Sequence, residues 1–338
     1  MNLIIGNEML DIKDITNTII QGDCIETMRT FPAKSINCCV TSPPYWGLRD
    51  YGVDGQLGLE DTPEEFVSKM VAVFAEVKRV LRDDGTLWLN LGDSYAHNTK
   101  GDTRTKEDYI RQGATVGALL SGAQNAGGVR KCNHGVKVKD LVGIPWMVAF
   151  ALRKDGWYLR QDIIWHKPNP MPESVKDRCT KAHEYIFLLS KNKKYYYDAD
   201  AIREDFTDDR MGNPKGGGQY AKEAFKDVFG PNAQSGLQKG EWNADGSVTG
   251  RNKRSVWTVT TKPYSEAHFA TFPPDLIEPC ILAGCPADGI VLDPFMGSGT
   301  TAMVAYENNR NYVGCELNPE YIELNRADIA KEKYGLFE

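Results

Sequence analysis

A chain of 338 residues is long enough to bury a full core without disulfide or metal staples, either as two domains or as one α/β domain with large insertions. Its net charge of −6, taken alone, argues mildly against a nucleic-acid partner, and no apolar run approaches the roughly 18 to 20 residues that span a bilayer. The opening segment MNLIIGNEMLDIKDIT carries acids and no basic stretch, so it does not read as a secretory signal, and a cytoplasmic location is expected. Eight scattered cysteines show no CxxC spacing and no paired Cys/His ligands, Cys132 and His134 being too few, which predicts reduced thiols and no metal.

In chain order, ITNTIIQGD reads as a strand ending at Asp23, and SINCCV, Ser35 to Val40, as a short buried strand running into TSPPY. A helix follows. Thr62 suits its cap, Pro63 its first turn, and Glu65 completes a capping-box pattern. Phe66, Met70, Val73, Phe74, Val77 and Leu81 form one apolar face, and Gly85 is expected to end the helix. TLWLNLGD, Thr86 to Asp93, is the next strand. After a polar, Gly-rich interruption come a helix from Ile144 to Lys154 and two strands of an antiparallel pair, Tyr158 to Trp165 and Glu184 to Leu189. A second interruption ends near Val256. The chain closes with a strand (Ile290 to Leu292), a helix (Thr300 to Asn308), a strand (Tyr312 to Cys315) and a terminal helix from Pro319 to Lys333.

Alternating strands and helices predict an α/β fold with a mostly parallel, doubly wound sheet. Ligands of such sheets bind beyond the carboxyl ends of the strands. The loops after Asp23, Val40, Leu292 and Cys315 should therefore share one crevice.

Two of those loops carry chemistry. VLD runs into PFMGSGTT, where Gly297 and Gly299 allow a tight turn and close approach of a ligand. No lysine follows the glycines, so the loop is not a phosphate-cradling P-loop. About twenty residues on, a strand ends at Glu316, where a carboxylate can accept from both hydroxyls of a ribose; an exposed helix cap is the competing reading. Asp293 could hold an ammonium group. A ribose diol, an ammonium and no phosphate fit S-adenosylmethionine.

Ser42-Pro43-Pro44-Tyr45 is the second loop. Two prolines stiffen the backbone and remove two donors, which leaves carbonyls and the Ser42 hydroxyl as acceptors beside an aromatic ring. Two acceptors suit the two hydrogens of an exocyclic amino group, and Tyr45 could stack on the base face. A rigid turn with a surface tyrosine is the alternative. Such a site requires the base to be flipped from the duplex. The basic balance of the interruptions, eight Lys/Arg against four Asp/Glu from His97 to Asp140 and nine against four from Arg210 to Lys262, suits a grip on phosphates, though it also suits solvated loops.

Together these segments resemble the S-adenosylmethionine-dependent amino-methyltransferases of bacterial and phage DNA modification. TSPPY and DPFMGSGTT match that family's catalytic and cofactor motifs. HFATFPPDLIEPCILAG, His268 to Gly284, is similar to the segment that packs over its cofactor. The catalytic motif precedes the cofactor motif, as in the permuted, beta group. RNA guanine and release-factor glutamine methyltransferases have the opposite order.

The resemblance implies a seven-stranded sheet with one antiparallel strand and two loop-rich insertions. The catalytic domain would occupy 1–93, 141–200 and 256–338. The insertion 94–140 would contact DNA and the insertion 201–255 would recognise the target. Asp23, Phe272, Asp293, Phe295, Gly297, Ser298, Gly299, Thr300 and Glu316 would bind the cofactor; Ser42, Pro43, Pro44 and Tyr45 would bind and activate the amino group. Trp46, Arg49, Lys167 and Asn169 are candidates for the substrate side, against an Arg49–Asp50 pair and an ordinary polar turn at Lys167 and Asn169.

Ser at the first motif position implies methylation at cytosine N4, with adenine N6 as the alternative. Methylation at cytosine C5 needs a cysteine nucleophile, and none follows the prolines. The expected partners are double-stranded DNA and a cognate restriction endonuclease, the enzyme acting as monomer or homodimer. A non-catalytic DNA-binding regulator on the same scaffold, and a methylase of RNA or protein, are the competing functions.

Overall fold

The computed structural model describes residues 9–48, 52–96, 136–204, 250–261 and 272–323. The chain divides into two units, one formed by 1–197 with 255–338 and the other by 198–254. In the smaller unit the described residues form a short 3-10 turn, Asp200–Ile202, and an antiparallel bridge between Glu204 and Arg251. Arg254 Nε donates to Glu204 Oε2 at 3.1 Å across that bridge.

The larger unit is built on one eight-stranded sheet. Its strands are β1 (Thr18–Gln21), β2 (Ile36–Thr41), β3 (Leu81–Leu91), β4 (Tyr158–His166), β5 (His183–Ser190), β6 (Val256–Thr258), β7 (Ile290–Asp293) and β8 (Asn311–Glu316). The order across the sheet is β1-β8-β7-β2-β3-β5-β4-β6. Every neighbouring pair is parallel except β3 with β5 and β5 with β4. The predicted single antiparallel strand is therefore β5. The sheet has eight strands where the resemblance implies seven. The extra edge is β6, only three residues long, too short to show a period of its own in the sequence.

The helices are α1 (Ile12–Ile15), α2 (Cys24–Arg29), α3 (Pro63–Val80), α4 (Ile144–Lys154), α5 (Pro274–Gly284) and α6 (Thr300–Glu307). One core buries Met28, Phe66, Met70, Val73, Phe74, Val77, Val148 and Leu152 of α2, α3 and α4 against Cys39, Leu87, Leu89 and Phe187 of the sheet. The other face carries α5 and α6. The adjacent cysteines show the alternation: Cys39 belongs to the first core, while Cys38 Sγ sits against Gly284 of α5.

Thr62 caps α3 as expected, its Oγ1 accepting from Glu65 N at 3.1 Å. The helix ends at Val80, however, and not near Gly85. Arg82-Asp83-Asp84-Gly85 bulges out of β3, because Ile36 pairs with Leu81 while Cys38 pairs with Thr86. Two acids at a helix C-terminus would oppose the negative end of its dipole, so the chain leaves the helix before them. The strand expected to end at Asp23 also stops early, at Gln21, and Asp23 caps α2. The terminal segment is helical over 319–323, and its continuation to Lys333 lies outside the described residues, as do most of both predicted insertions, Cys132 and His268.

Candidate active site

Because β1, β2, β7 and β8 all run the same way, their carboxyl ends open on one side of the sheet. A pocket there is lined by Gly22 and Asp23 after β1, Ser42 and Pro44 after β2, Asp293 to Ser298 after β7, and Glu316 to Asn318 after β8. Thr300, Phe272, Tyr321, Val53, Gln56 and Leu57 complete much of its wall. This is the predicted crevice.

Its glycine loop turns through the left-handed region at Gly297 (φ 53°) and at Gly299 (φ 84°), the latter starting α6. An L side chain at either position would be strained. The loop is held from below and from the side. Below it, Asp293 is 1% exposed and ends β7. Asp293 Oδ1 accepts from Thr41 Oγ1 at 2.6 Å and from Phe295 N at 3.0 Å, and Oδ2 accepts from Thr301 Oγ1 at 2.6 Å. Burial outweighs these donors and pushes its carboxyl up to about 6. Asp293 thus acts as a bracket under the pocket, with both oxygens engaged by the protein.

At the side, Glu316 Oε2 accepts from Gly297 N and Oε1 from Asn318 N, each at 2.7 Å. The Leu317 backbone N–H donates to this carboxylate as well, so about one of its four lone-pair directions remains. Burial holds this carboxyl above the usual range. Asp23 Oδ1 is occupied by its cap bonds to Ile25 N at 2.9 Å and Glu26 N at 3.0 Å. Phe295, Ser298, Thr300 and Phe272 line the pocket, while Gly299 serves as the turn at the helix start.

The lining contains Asp23, Asp293 and Glu316 and not one lysine or arginine among the described residues. An acid-bearing wall with a glycine turn and the phenylalanines 272 and 295 suits a cationic, partly aromatic ligand and disfavours a phosphate. S-adenosylmethionine meets that description: a sulfonium, an ammonium and an adenosine.

The second loop leaves the buried end of β2. Pro43 is buried; Ser42, Pro44 and Tyr45 are half-buried. Ser42 Oγ lies 3.2 Å from Asn90 Oδ1, and Tyr45 Oη lies 3.1 Å from that same oxygen and 2.8 Å from Glu184 Oε2. Asn90 Nδ2 donates to the Tyr185 carbonyl at 3.1 Å, which fixes the amide orientation. Lys167 Nζ pairs with the other oxygen of Glu184 and lies 4.1 Å from the centroid of the Trp165 ring. The Tyr45 ring lies against the backbone of Gly92, where a Cβ would sit 2.5 Å from Cε2.

Three substrate-side expectations change. Trp46 is 3% exposed and part of the α3 core, its indole N–H donating to the Glu60 carbonyl at 2.9 Å. It braces the loop from within and cannot face a base, because the apolar stripe of α3 needs a cover that the loop supplies. Asn169 has both ends of its amide on the Thr261 backbone, at 3.2 and 3.1 Å, and so ties down that segment. Lys167 is paired with Glu184 and is only partly exposed. Arg49 lies outside the described residues.

Sequence reasoning missed Thr41, Asn90 and Glu184. Thr41 was visible as the first letter of TSPPY, and Asn90 as the polar interruption of an apolar strand, TLWLNL. Glu184 had no signal. It reaches the site because β5 is antiparallel, so the start of β5 lies where the other strands end, with Glu184 beside Trp165 and Tyr185 beside Leu91.

Two cysteines, Cys24 and Cys315, line the pocket, and burial pushes the Cys24 thiol up to about 12 and the Cys315 thiol well above its ordinary value, which disfavours the thiolate at either. Cys38 and Cys39 are wholly buried in β2, and burial pushes the Cys38 thiol up to about 12 and Cys39 well above its ordinary value. Among the described residues no group of three or more His, Cys, Asp or Glu could hold a metal ion, and no helix is long and apolar enough to cross a membrane.

Comparison with known proteins agrees with the geometry. A family model described as DNA methylase, of the N6/N4 methyltransferase type, matches residues 36–328. The type II methyltransferase M.XycI of Xanthomonas campestris pv. cyanopsidis is 47% identical over 308 residues, covering 91% of this chain and 86% of the relative. Among solved structures, the PvuII DNA methyltransferase (cytosine-N4-specific) superposes with a TM-score of 0.58 at 19% identity, covering 92% of this chain and 85% of the other. A Thermus thermophilus protein solved in complex with S-adenosyl-L-methionine superposes at 0.53 with 24% identity, covering 94% of this chain and 95% of the other.

Proposed function

This chain belongs to the N6/N4 DNA methylase family, and from that premise we propose that it is a type II modification methyltransferase acting on the N4 amino group of a cytosine flipped out of duplex DNA. The observation that carries this reading is that Ser42 and Pro44 line the same acid-walled pocket as Asp293 and Glu316. A cationic cofactor and a base amino group would meet there with no barrier between them.

S-adenosyl-L-methionine, when bound, supplies an electrophilic methyl group. Glu316 would accept from a ribose hydroxyl through its remaining lone-pair direction, Gly297 and Gly299 would let the backbone approach the cofactor, and Phe272 and Phe295 would pack on its apolar parts. Asp293 contributes negative potential from beneath and fixes the loop. On the other side, Ser42 Oγ and the Pro43 carbonyl would accept the two hydrogens of the target amino group. The amino lone pair, delocalised in the free base, is then freed for attack. Rate comes from positioning and from fixed dipoles, without a covalent enzyme intermediate.

Ser42 at the first position of the tetrad supports cytosine. The segments 94–140 and 201–255 would supply phosphate and base contacts, and the remainder the catalytic domain. The enzyme would act as a monomer, which can read a palindrome one strand at a time, or as a homodimer. The functional partner would be a restriction endonuclease of the same specificity, in the cytoplasm of a bacterial or phage-infected cell.

The test is to methylate DNA with the purified protein, digest it to nucleosides and identify the product by mass. N4-methyldeoxycytidine is expected. N6-methyldeoxyadenosine would move the target to adenine within the family. No methylated nucleoside, with cofactor bound normally, would leave a non-catalytic DNA-binding protein.

A further inference from the structure

The hydroxyls of Ser42 and Tyr45 both approach one acceptor, Asn90 Oδ1, at 3.2 and 3.1 Å. That oxygen cannot be exchanged for the amide nitrogen, because Nδ2 is committed to the Tyr185 carbonyl at 3.1 Å. Tyr45 has a single hydrogen to give. It also has a second acceptor, Glu184 Oε2, at 2.8 Å. Glu184 is charged and nearer, and an ionised acceptor binds a hydroxyl about twice as strongly as a neutral one. Its other oxygen is paired with Lys167, and the side chains of Lys167 and Glu184 are 18% and 16% exposed. Lys167 therefore holds the carboxylate in place without competing for Oε2.

We infer that Glu184, held by Lys167, is a positioning residue that sets the polarity of the Ser42 hydroxyl: by taking the Tyr45 hydrogen it leaves Asn90 Oδ1 for the Ser42 hydrogen, so that Ser42 Oγ turns its lone pairs to the amino group of the target base. The inference rests on the proposed role of Ser42 as an acceptor. Without the carboxylate, Tyr45 donates to Asn90 Oδ1 beside Ser42, and the oxygen must divide its two lone pairs between two hydroxyls. Sharing weakens the hold on the Ser42 hydrogen, which is then freer to turn toward the cleft, where it meets an amino hydrogen donor to donor. The arrangement explains why a largely buried glutamate and lysine stand behind a loop whose own residues are uncharged.

Glu184→Gln is the isosteric test. The Lys167 ammonium retains the amide oxygen, so the amide nitrogen faces Tyr45 and the Tyr45 hydrogen is sent to Asn90. Single-turnover methyl transfer to duplex DNA should slow by roughly tenfold or more, with cofactor and DNA affinities within about threefold of the parent. The decisive measurement is the double variant Glu184→Gln/Tyr45→Phe. Removing the Tyr45 hydroxyl removes the competitor for Asn90, so the double variant should transfer several-fold faster than Glu184→Gln alone. A purely structural role for Glu184 predicts the reverse, further damage from the second substitution. A double variant no faster than the single one, or a Glu184→Gln enzyme with normal transfer, overturns the inference. Ser42→Ala separates the two readings. If it transfers normally, the acceptor role of Ser42 fails. If it is slow while Glu184→Gln is normal, only the positioning role fails.

Discussion

The Thr41 hydroxyl donates to Asp293 Oδ1 at 2.6 Å, joining the residue before the Ser-Pro-Pro-Tyr turn to the last residue of the strand that leads into the glycine loop. Thr301, in the first turn of α6, donates to the other oxygen at 2.6 Å. The two halves of the candidate active site, 252 residues apart in the chain, are thus held by one buried carboxylate.

That carboxylate should give folding stability a specific pH dependence. Its pKa rises from 3.8 to about 6 on folding, so below 3.8 its full contribution is present, and it is lost as pH rises through about 6. A shift of this size corresponds to about 3 kcal/mol. Asp293→Asn cannot ionise. Urea unfolding at a series of pH values should show the stability of the parent falling relative to the variant between about pH 4 and 7, by up to that amount. A difference between the two that does not vary with pH would contradict the argument.

Glu316→Gln should weaken cofactor binding. The amide can still accept from Gly297 N or from Asn318 N, but its nitrogen must face the other donor. Losing one charge-assisted bond costs about 1.5 to 3 kcal/mol, or roughly 10- to 100-fold in affinity. Titration with S-adenosyl-L-homocysteine should show this loss, while DNA affinity stays within a few-fold.

Gly92→Ala should separate binding from chemistry. The added Cβ would stand 2.5 Å from the Tyr45 ring, so Tyr45 and its loop must shift. Misplacement by about 1 Å near a reacting centre can cost on the order of 100-fold in rate. The expected result is a drop in kcat of roughly tenfold or more with unchanged cofactor affinity, measured by methyl incorporation and calorimetry. A normal kcat would mean that the Tyr45 position is not limiting.

Native cysteines should be largely inert. Burial pushes the Cys24 and Cys38 thiols up to about 12, and among the described cysteines only Cys179 is exposed. Alkylation of the folded protein near neutral pH, mapped by mass, should mark Cys179 and spare Cys24, Cys38, Cys39, Cys280, Cys285 and Cys315. Cys38→Ala should lose some stability but transfer methyl groups at near the parental rate. Loss of transfer in that variant at a temperature where it is folded would implicate the thiol in catalysis.

Much of this was legible in the chain. Periodicity placed α4 at its observed bounds and paired β4 with β5. The turn residues of PFMGSGTT and TSPPY marked two loops at strand ends, and a parallel sheet required those ends to lie together. These are local properties: a helical or a strand period, a glycine where φ must be positive, a proline where a donor is missing. What tertiary structure decided was which side chains are already used. Trp46 looked like a residue facing a base and is buried under α3, because only the assembled core shows which aromatic ring the helix needs. Lys167 looked free for DNA and is paired with Glu184. Asp293 looked open to a ligand and is braced by Thr41 and Thr301. Hydrogen-bond partners and ion pairs are made between strands distant in sequence, and the antiparallel entry of β5 brings Glu184 to the site with no trace of that role in its neighbours. The residue types that such chemistry needs were written in the chain; their remaining capacity to bind was decided by the fold.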